Sequence, residues 1–408
     1  MRFIRARILL TQKGPPIENG AVALKGGKII AVGNYRDLAA LYTADERMDL
    51  GESILMPGLI NAHCHLDYTG MRNKIPSGKS FCEWLAQIIT LKSTQTQESY
   101  AAAIEEGLNE LLSSGVTSVF NIHATGEITP TFPIPRLRTW WFQEVIDIRS
   151  PVCMDNLKIP NFPKRYPGWL GGAGLSPHAP YTASESLYRG VKQYAEKYGL
   201  PVTTHLAETR EELEMFQNGS GPLFDFLKNM GPPVRSQKTP LSTLLDLDLL
   251  PFGTILVHMN ALDKTDWRLL QKRAQNYTIV HCPKTHAYFE RKKFHFQRLR
   301  ELGINICLGT DSLASNDSLN LFEEMRLFQR SHQTSEQETL NMVTLHPAKA
   351  IGLAGRLGVI AAGAHADFIA VSYTGPLKEA VTAVLNQTAP IGWTMVGGIV
   401  FHGEKSPR

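Results

Sequence analysis

The sequence predicts an α/β protein: a (β/α)8 TIM-like barrel carrying a small β-sandwich formed by the N- and C-terminal segments. Three observations predict it. Short apolar runs alternate with helical patterns through the middle of the chain, which is the rhythm of parallel βα units. Almost every one of those runs ends in, or is closely followed by, a histidine or an aspartate. The two ends of the chain lack that rhythm and read as short strands around glycine pairs. A length of 408 residues suits one barrel plus an extra module.

In residues 1–55, Val22–Leu24 and Ile29–Val32 flank Lys25-Gly26-Gly27-Lys28, a hairpin signal. Eight candidate barrel strands follow. They are Met56–His65, Val116–His123, Arg138–Glu144, Gly171–Pro177, Pro201–His205, Thr254–His258, Thr278–His281 and Asn305–Gly309. Helical patterns lie between them, as in Glu98–Ser113, Ser184–Tyr198 and Leu319–Gln329. The segment Gln217–Leu250 holds Pro222, Pro232, Pro233 and Pro240, and reads either as a lid with a short helix or as an ordinary insertion. Asp367–Val371 is a short apolar strand, and Trp393–Val396 and Ile399–His402 flank Gly397-Gly398. The expected division is residues 1–55 plus 358–408 for the small domain and 56–357 for the barrel.

Composition narrows the class. Hydrophobic residues at 43% and charged residues at 20% describe a globular protein, not a disordered chain. The net charge is only +4 and the charges are interspersed, so no nucleic-acid partner is expected. The run Arg291-Lys292-Lys293 reads as a solvated face. Five scattered cysteines, Cys64, Cys82, Cys153, Cys282 and Cys307, imply no disulfide framework, and a reducing cytoplasm is the expected location. Charges interrupt the short apolar run at the N-terminus, which argues against a secretory leader. No stretch approaches about 18 uninterrupted apolar residues, so no membrane span is expected. A phosphate-cradling Gly-x-x-x-x-Gly-Lys loop, a Gly-x-Ser-x-Gly elbow and a Pro-Cys-x-x-Cys zinc-deaminase signature are all absent.

The strand ends carry the chemistry. In a barrel they share one face, so residues 63 to 311 converge in space. Side chains alternate along a strand, so His63 and His65 point the same way and Cys64 the other. Two imidazoles on one side can grip a metal ion. His205-Leu206-Ala207-Glu208 adds a third imidazole and a carboxylate, and Asp311 follows the eighth strand. Asp311 read alone is a candidate helix N-cap; facing a metal cluster it becomes a ligand or proton acceptor. If His63, His65, His205 and Asp311 coordinate the ion, Glu208 is free to shuttle protons. His258 either binds the metal or orients the attacking water. Three imidazoles and one carboxylate with room for a water is a catalytic arrangement. A divalent ion lowers the pKa of its water to roughly 7, which points to hydrolysis. Phe81, Trp84, Tyr68 and Phe289 are candidates for stacking on a heterocycle.

These motifs resemble those of the amidohydrolase superfamily, in its deaminase and chlorohydrolase branch. The resemblance rests on Pro57–His65, Ser176–Thr182, His205–Glu208, His258, His281–Pro283 and Gly309–Ser312, and on Gly358–Asp367 as the return to the small β-domain. It covers nearly the whole chain. It implies that His63, His65, His205 and Asp311 hold one divalent ion, zinc or iron. It also implies that Asp311 and His258 activate water, and that Glu208 protonates a ring nitrogen and assists the leaving amine. Dinuclear relatives carry a bridging lysine at the end of strand four, and Gly171–Pro180 has none, so one metal is expected. His178 is similar to a substrate-contacting histidine. His281 and His286 flank the Cys282–Thr285 motif, with His286 where many relatives carry asparagine. Lys92 stands in the region of a ribose-binding glutamate, and a cation there would suit a substrate carboxylate.

The implied activity is deamination of an amino-purine nucleoside or related heterocycle. Cys307–Arg326 is similar to aminodeoxyfutalosine deaminases, which implies aminodeoxyfutalosine and menaquinone synthesis first, and 5′-modified adenosines second. The alternatives are another leaving group (chloride, an alkylamine or an amide nitrogen) on the same site, or a non-catalytic ligand-binding barrel. Relatives are often dimers or tetramers, which leaves a homo-oligomer open.

Overall fold

The computed structural model describes residues 1–125, 132–157, 159, 166–231 and 236–402. The chain starts with β1 (Arg2–Leu9), β2 (Ile17–Lys25), β3 (Lys28–Asn34), β4 (Glu46–Asp49) and β5 (Ser53–Pro57). The barrel strands are β6 (Leu59–His65), β7 (Val116–His123), β8 (Arg138–Val145), β9 (Gly171–Pro177), β10 (Thr203–Leu206), β11 (Ile255–His258), β12 (Thr278–His281) and β13 (Asn305–Leu308), with a two-residue extension β14 (Asp311–Ser312). The chain closes with β15 (Phe368–Ser372), β16 (Trp393–Val396) and β17 (Ile399–His402).

Both chain ends share one sheet, in the order β17-β16-β15-β5-β1-β2-β3, with β4 beside β1. The β2–β3 hairpin turns at Gly26 and Gly27, whose φ values of 56° and 74° suit a tight two-residue turn. Alternation along β1 sends Ile4 to a core with Leu55, Phe368 and Met395. It sends Phe3 to the other face, under Leu38 of the short helix Tyr35–Leu41.

The expected strand Met56–His65 is in fact two. Gly58 divides them, donating its N–H to Asp367 O at 3.0 Å. A Cβ there would lie 2.1 Å from Thr117, so only glycine lets the chain pass from the small sheet into the barrel at this point. An unbroken apolar run cannot show a change of sheet.

The barrel forms as two parallel arcs, β14-β6-β7-β8-β9 and β10-β11-β12-β13. One seam is the bridge Leu175–Val202, with Leu175 N donating to Pro201 O at 3.0 Å. At the other, Thr310 N donates to His63 O at 3.1 Å and Asp311 pairs with Cys64. One buried cluster, including Phe120, Phe142, Val257 and Val280, joins side chains of both arcs.

Helix starts follow their caps. Thr96 caps Gln97–Ser113 and Ser184 caps Glu185–Tyr198. Asn320 accepts from Phe322 N and so moves the expected Leu319–Gln329 helix to Leu321–Ser331. Within Gln217–Leu250, Pro222 and Pro240 each open a short helix, as proline does at a first helical position. Pro232 and Pro233 lie outside the described residues. The second helix buries Leu241, Leu244 and Leu245 in the main core, as an ordinary insertion does. The first packs on Phe81, Ala179 and Tyr181. Among the described residues, no helix is long and apolar enough to cross a membrane.

Candidate active site

The strand ends do converge. His63 and His65 present their rings to one space, 5.0 Å apart and nearly perpendicular. His65 Nε2 lies 3.3 Å from His205 Nε2. Asp311 Oδ1 is 3.5 Å from His63 Nε2 and 3.9 Å from His65 Nε2. The sets His63/His65/His205 and His63/His258/Asp311 each gather their ligand atoms within 4.8 Å of one another, all on buried residues.

The donor chemistry fits a divalent cation. His63 Nε2 is buried and, among the described residues, has no hydrogen-bond partner. Burial pushes the His63 and His65 imidazoles below their usual range, toward the neutral form that ligates metal. His205 Nδ1 lies 2.9 Å from His178 O, and a donor there leaves Nε2 as the free ligand atom.

The local backbone is built to hold these groups. Ala207, His258, Met259 and Asp311 all have φ between 50° and 79°, a strained region for non-glycine residues. Asn61 fastens β6 to the Asp311 turn: its Oδ1 accepts from His63 N and Thr310 N, and its Nδ2 donates to Thr310 Oγ1 at 2.8 Å. Gly309 is required by close approach, since a Cβ would sit 2.8 Å from His63 O. Asp311 caps no helix here. Its Oδ1 accepts from Ser312 N, and Asn320 caps the next helix.

Glu208 faces the same space from the other side. Its Oε1 is 3.6 Å from His258 Nε2, which is 3.8 Å from Asp311 Oδ2. Burial alone would raise the Glu208 carboxyl, but His258, Arg291 and His205 hold it below its ordinary range. Burial also works against ionised Asp311, and the close approach of His63 with the nearby His63, His258 and His65 charges holds it well below. Burial pushes His258 down to about 3. The turn carrying Glu208 is pinned by Glu212, whose carboxylate accepts from Ala207 N and Glu208 N at 3.1 and 2.6 Å.

The remaining expected residues separate. His178 lies beside the cluster, its ring 5.0 Å from His205 and its Nδ1 2.6 Å from Thr182 Oγ1. Lys92 donates to Tyr68 OH at 2.9 Å, and Tyr68 stacks on His65. Trp84 stacks with Phe81 and meets Phe289 edge-on, but its N–H is spent on Ala314 O. His281 instead stacks on Phe294 at 4.0 Å, close to His286 and His332. His286 Nε2 is taken by Lys292 O at 2.7 Å.

One expectation is overturned. Arg291 is not part of a solvated face: only 11% of its side chain is exposed, and Nη2 pairs with Glu208 Oε1 at 2.7 Å. Its position two residues after Phe289, in the loop that follows β12, was the available signal.

Comparison with known proteins agrees with this geometry. Residues 54–400 match the amidohydrolase family. The chain belongs to the amidohydrolase family. Its curated relatives include a 5-methylthioadenosine/S-adenosylhomocysteine deaminase of Syntrophobacter fumaroxidans, 28% identical over 90% of this chain and 83% of that protein. Another so named, from Teredinibacter turnerae, is 30% identical over 81% of this chain and 74% of that protein. Among solved structures, Helicobacter pylori aminofutalosine deaminase in complex with methylthio-coformycin superposes on this amidohydrolase with a TM-score of 0.85 at 24% identity, covering 98% of this chain and 100% of that one. A zinc-bound adenosine deaminase from Xanthomonas campestris gives a TM-score of 0.81 at 22% identity, covering 99% and 93% of the two chains. These structural likenesses establish the barrel with its terminal β-module. The family and the deaminase relatives establish a hydrolytic, metal-dependent enzyme.

Proposed function

We propose that this amidohydrolase releases ammonia from the amino group of a purine nucleoside or a related heterocycle. Aminodeoxyfutalosine, within menaquinone synthesis in the cytoplasm, is the first substrate to test, and 5′-modified adenosines are the second. The observation that carries the reading is the pair of buried carboxylates, Glu208 and Asp311, on either side of His258. The deaminase relatives, aligned over most of the chain, support it.

In this reading His63, His65, His205 and Asp311 hold one divalent ion. Zinc is the first choice, and iron accepts the same ligands. The ion's contribution is to acidify water, toward a pKa of about 7. His258 orients that water through Nε2. Asp311 accepts one of its protons at Oδ2 and returns it to the departing amine. Glu208 carries the other proton to the ring nitrogen beside the reacting carbon. The water thus supplies the product's carbonyl oxygen, its ring N–H and the third hydrogen of ammonia. His178, beside the cluster, and Trp84 are read as substrate contacts, and Lys92, joined to the His65 stack through Tyr68, as the partner of a substrate carboxylate. His281 and His286 instead meet Phe294 and Lys292.

The test is ammonia release by metal-loaded protein from aminodeoxyfutalosine, adenosine, S-adenosylhomocysteine, methylthioadenosine, guanine and a chlorotriazine. The expected result is turnover of aminodeoxyfutalosine far above the rest, lost in Glu208→Ala and Asp311→Ala. Chloride release without ammonia from any nucleoside would overturn it.

A further inference from the structure

Arg291 is a buried cation that the metal cluster does not need. It lies between the helices Pro283–Tyr288 and Phe296–Glu301, in the loop after β12. Its guanidinium sits 4.5 Å from the Phe289 ring centroid and 6.0 Å from that of Phe81. Phe81 stacks on Trp84 and Phe289 meets Trp84 edge-on, and the Trp84 N–H is anchored to Ala314 O. Nη2 meets Glu208 Oε1, and both side chains are about nine-tenths buried. Nη1 is also buried and, among the described residues, has no hydrogen-bond partner. The pair borders a cleft of about 910 Å³ that also touches Lys79, Arg210 and His295.

These facts fix the direction of cause. A guanidinium free to satisfy its own donors would not leave Nη1 unused, because a buried unpaired donor is costly. The aromatic wall therefore sets the place of Arg291, and Arg291 sets the place of Glu208. The pairing uses one oxygen of the carboxylate, so Glu208 is tethered without being closed off. Arg291 is rigid and planar where a lysine would be a mobile point charge. On the other side, the same Oε1 faces His258 Nε2 at 3.6 Å.

We propose that Arg291 is the positioning residue for Glu208, holding its carboxylate against His258 and the ligand cluster. The proposal rests on the deaminase reading, in which Glu208 carries the proton to the ring. It adds that proton transfer depends on a residue in the loop after β12 that does not itself touch the reacting atoms.

The experiment compares metal-loaded wild type with Arg291→Gln, Arg291→Lys, Glu208→Gln and the double variant Arg291→Gln/Glu208→Gln. Ammonia release is measured on the substrate that wild type turns over best, and each protein is also crystallised. Metal content and Tm serve as folding controls. Arg291→Gln is expected to lower kcat by about a hundredfold with KM little changed. Arg291→Lys should recover part of the loss. In the Glu208→Gln background, Arg291→Gln should cost almost nothing more, because both act through one group. In the crystals, Glu208 should move away from His258 in Arg291→Gln. Wild-type kcat in Arg291→Gln, or independent losses in the double variant, would overturn the proposal. If Arg291→Gln does not fold, Arg291→Lys is judged by the same readouts, and full kcat with Glu208 unmoved overturns it. If wild type releases ammonia from nothing, the deaminase reading fails. The crystals then still decide the tether: an unmoved Glu208 rejects it, and a displaced one upholds it.

Discussion

At the scale of single residues, the convergence of the strand-end histidines, Glu208 and Asp311 was legible and its support was not. A histidine or aspartate at a strand end has a known direction, because strands alternate and barrel strands share an upper face. Glu212 carries no such signal. Its role exists only because Ala207 takes a φ of 50°, which turns two N–H groups toward one carboxylate. Glu212→Gln keeps the shape but offers one oxygen and one NH2 group to two N–H donors. Leaving one buried donor unmet costs about 1–3 kcal/mol. We expect a lowered Tm and a loss of kcat larger than the loss of metal, measured by metal analysis beside ammonia release. In the proposed mechanism Glu208→Gln removes the proton carrier itself, and kcat should fall by about 10² to 10⁴ with metal content unchanged. A Glu208→Gln enzyme as fast as wild type would assign the proton to another group.

Elements were legible where a local cap or turn defined them, and less so where only a contact with distant chain did. The Gly26-Gly27 hairpin and the Ser184 cap are written in four residues each. The break at Gly58 and the need for glycine at 309 are set by Thr117 and His63, which no window of sequence contains. Gly309 links β13 to Asp311, so the element and the site are coupled through it. Gly309→Ala would force a methyl group into the His63 backbone, and overpacking of this kind typically costs about 1–3 kcal/mol. The strain should appear as displacement of Asp311 relative to His63. We therefore expect weaker metal retention during dialysis against a chelator, with a smaller drop in Tm. Equal metal retention in variant and wild type would show that the turn relaxes away from the site.

At the scale of the whole molecule, the terminal sheet and the barrel meet at a nearly buried ion pair, Arg138 on β8 with Asp367 just before β15. Asp367 Oδ1 also accepts from Gly397 N at 2.7 Å, so one carboxylate ties the barrel to the β16–β17 turn. The sequence places both residues near strand ends but says nothing of their meeting, since they are 229 positions apart. Arg138→Met would leave the Asp367 charge buried without its partner, a change that typically costs about 3–5 kcal/mol. The denaturant midpoint should fall accordingly, and a separate early transition of the terminal sheet would show that this pair couples the two units.

The pH dependence of stability is also a property of the whole chain, because buried groups pull in opposite directions. His123 closes β7, packs edge-on to Trp141 and has a buried Nδ1 without a hydrogen-bond partner among the described residues. Burial pushes its imidazole down to about 4. An unfolded histidine titrates near 6.5, so below that pH the unfolded chain binds a proton that the folded chain refuses. His123 therefore contributes stability that is complete above about 6.5 and is lost as pH falls toward the folded value, at up to about 1.4 kcal/mol per pH unit. Burial pushes Glu324, on the helix Leu321–Ser331, up to about 8. It acts the other way: the folded chain keeps a proton that an unfolded glutamate releases above about 4.3, so its contribution falls as pH rises from there toward 8. Between the glutamate and histidine values the terms oppose, and the wild-type profile alone hides each of them. The difference between wild type and His123→Gln isolates the histidine. Urea midpoints measured across the acid side of neutrality should fall more steeply in wild type than in the variant. Parallel profiles would mean that folded His123 accepts a proton as readily as the unfolded chain does.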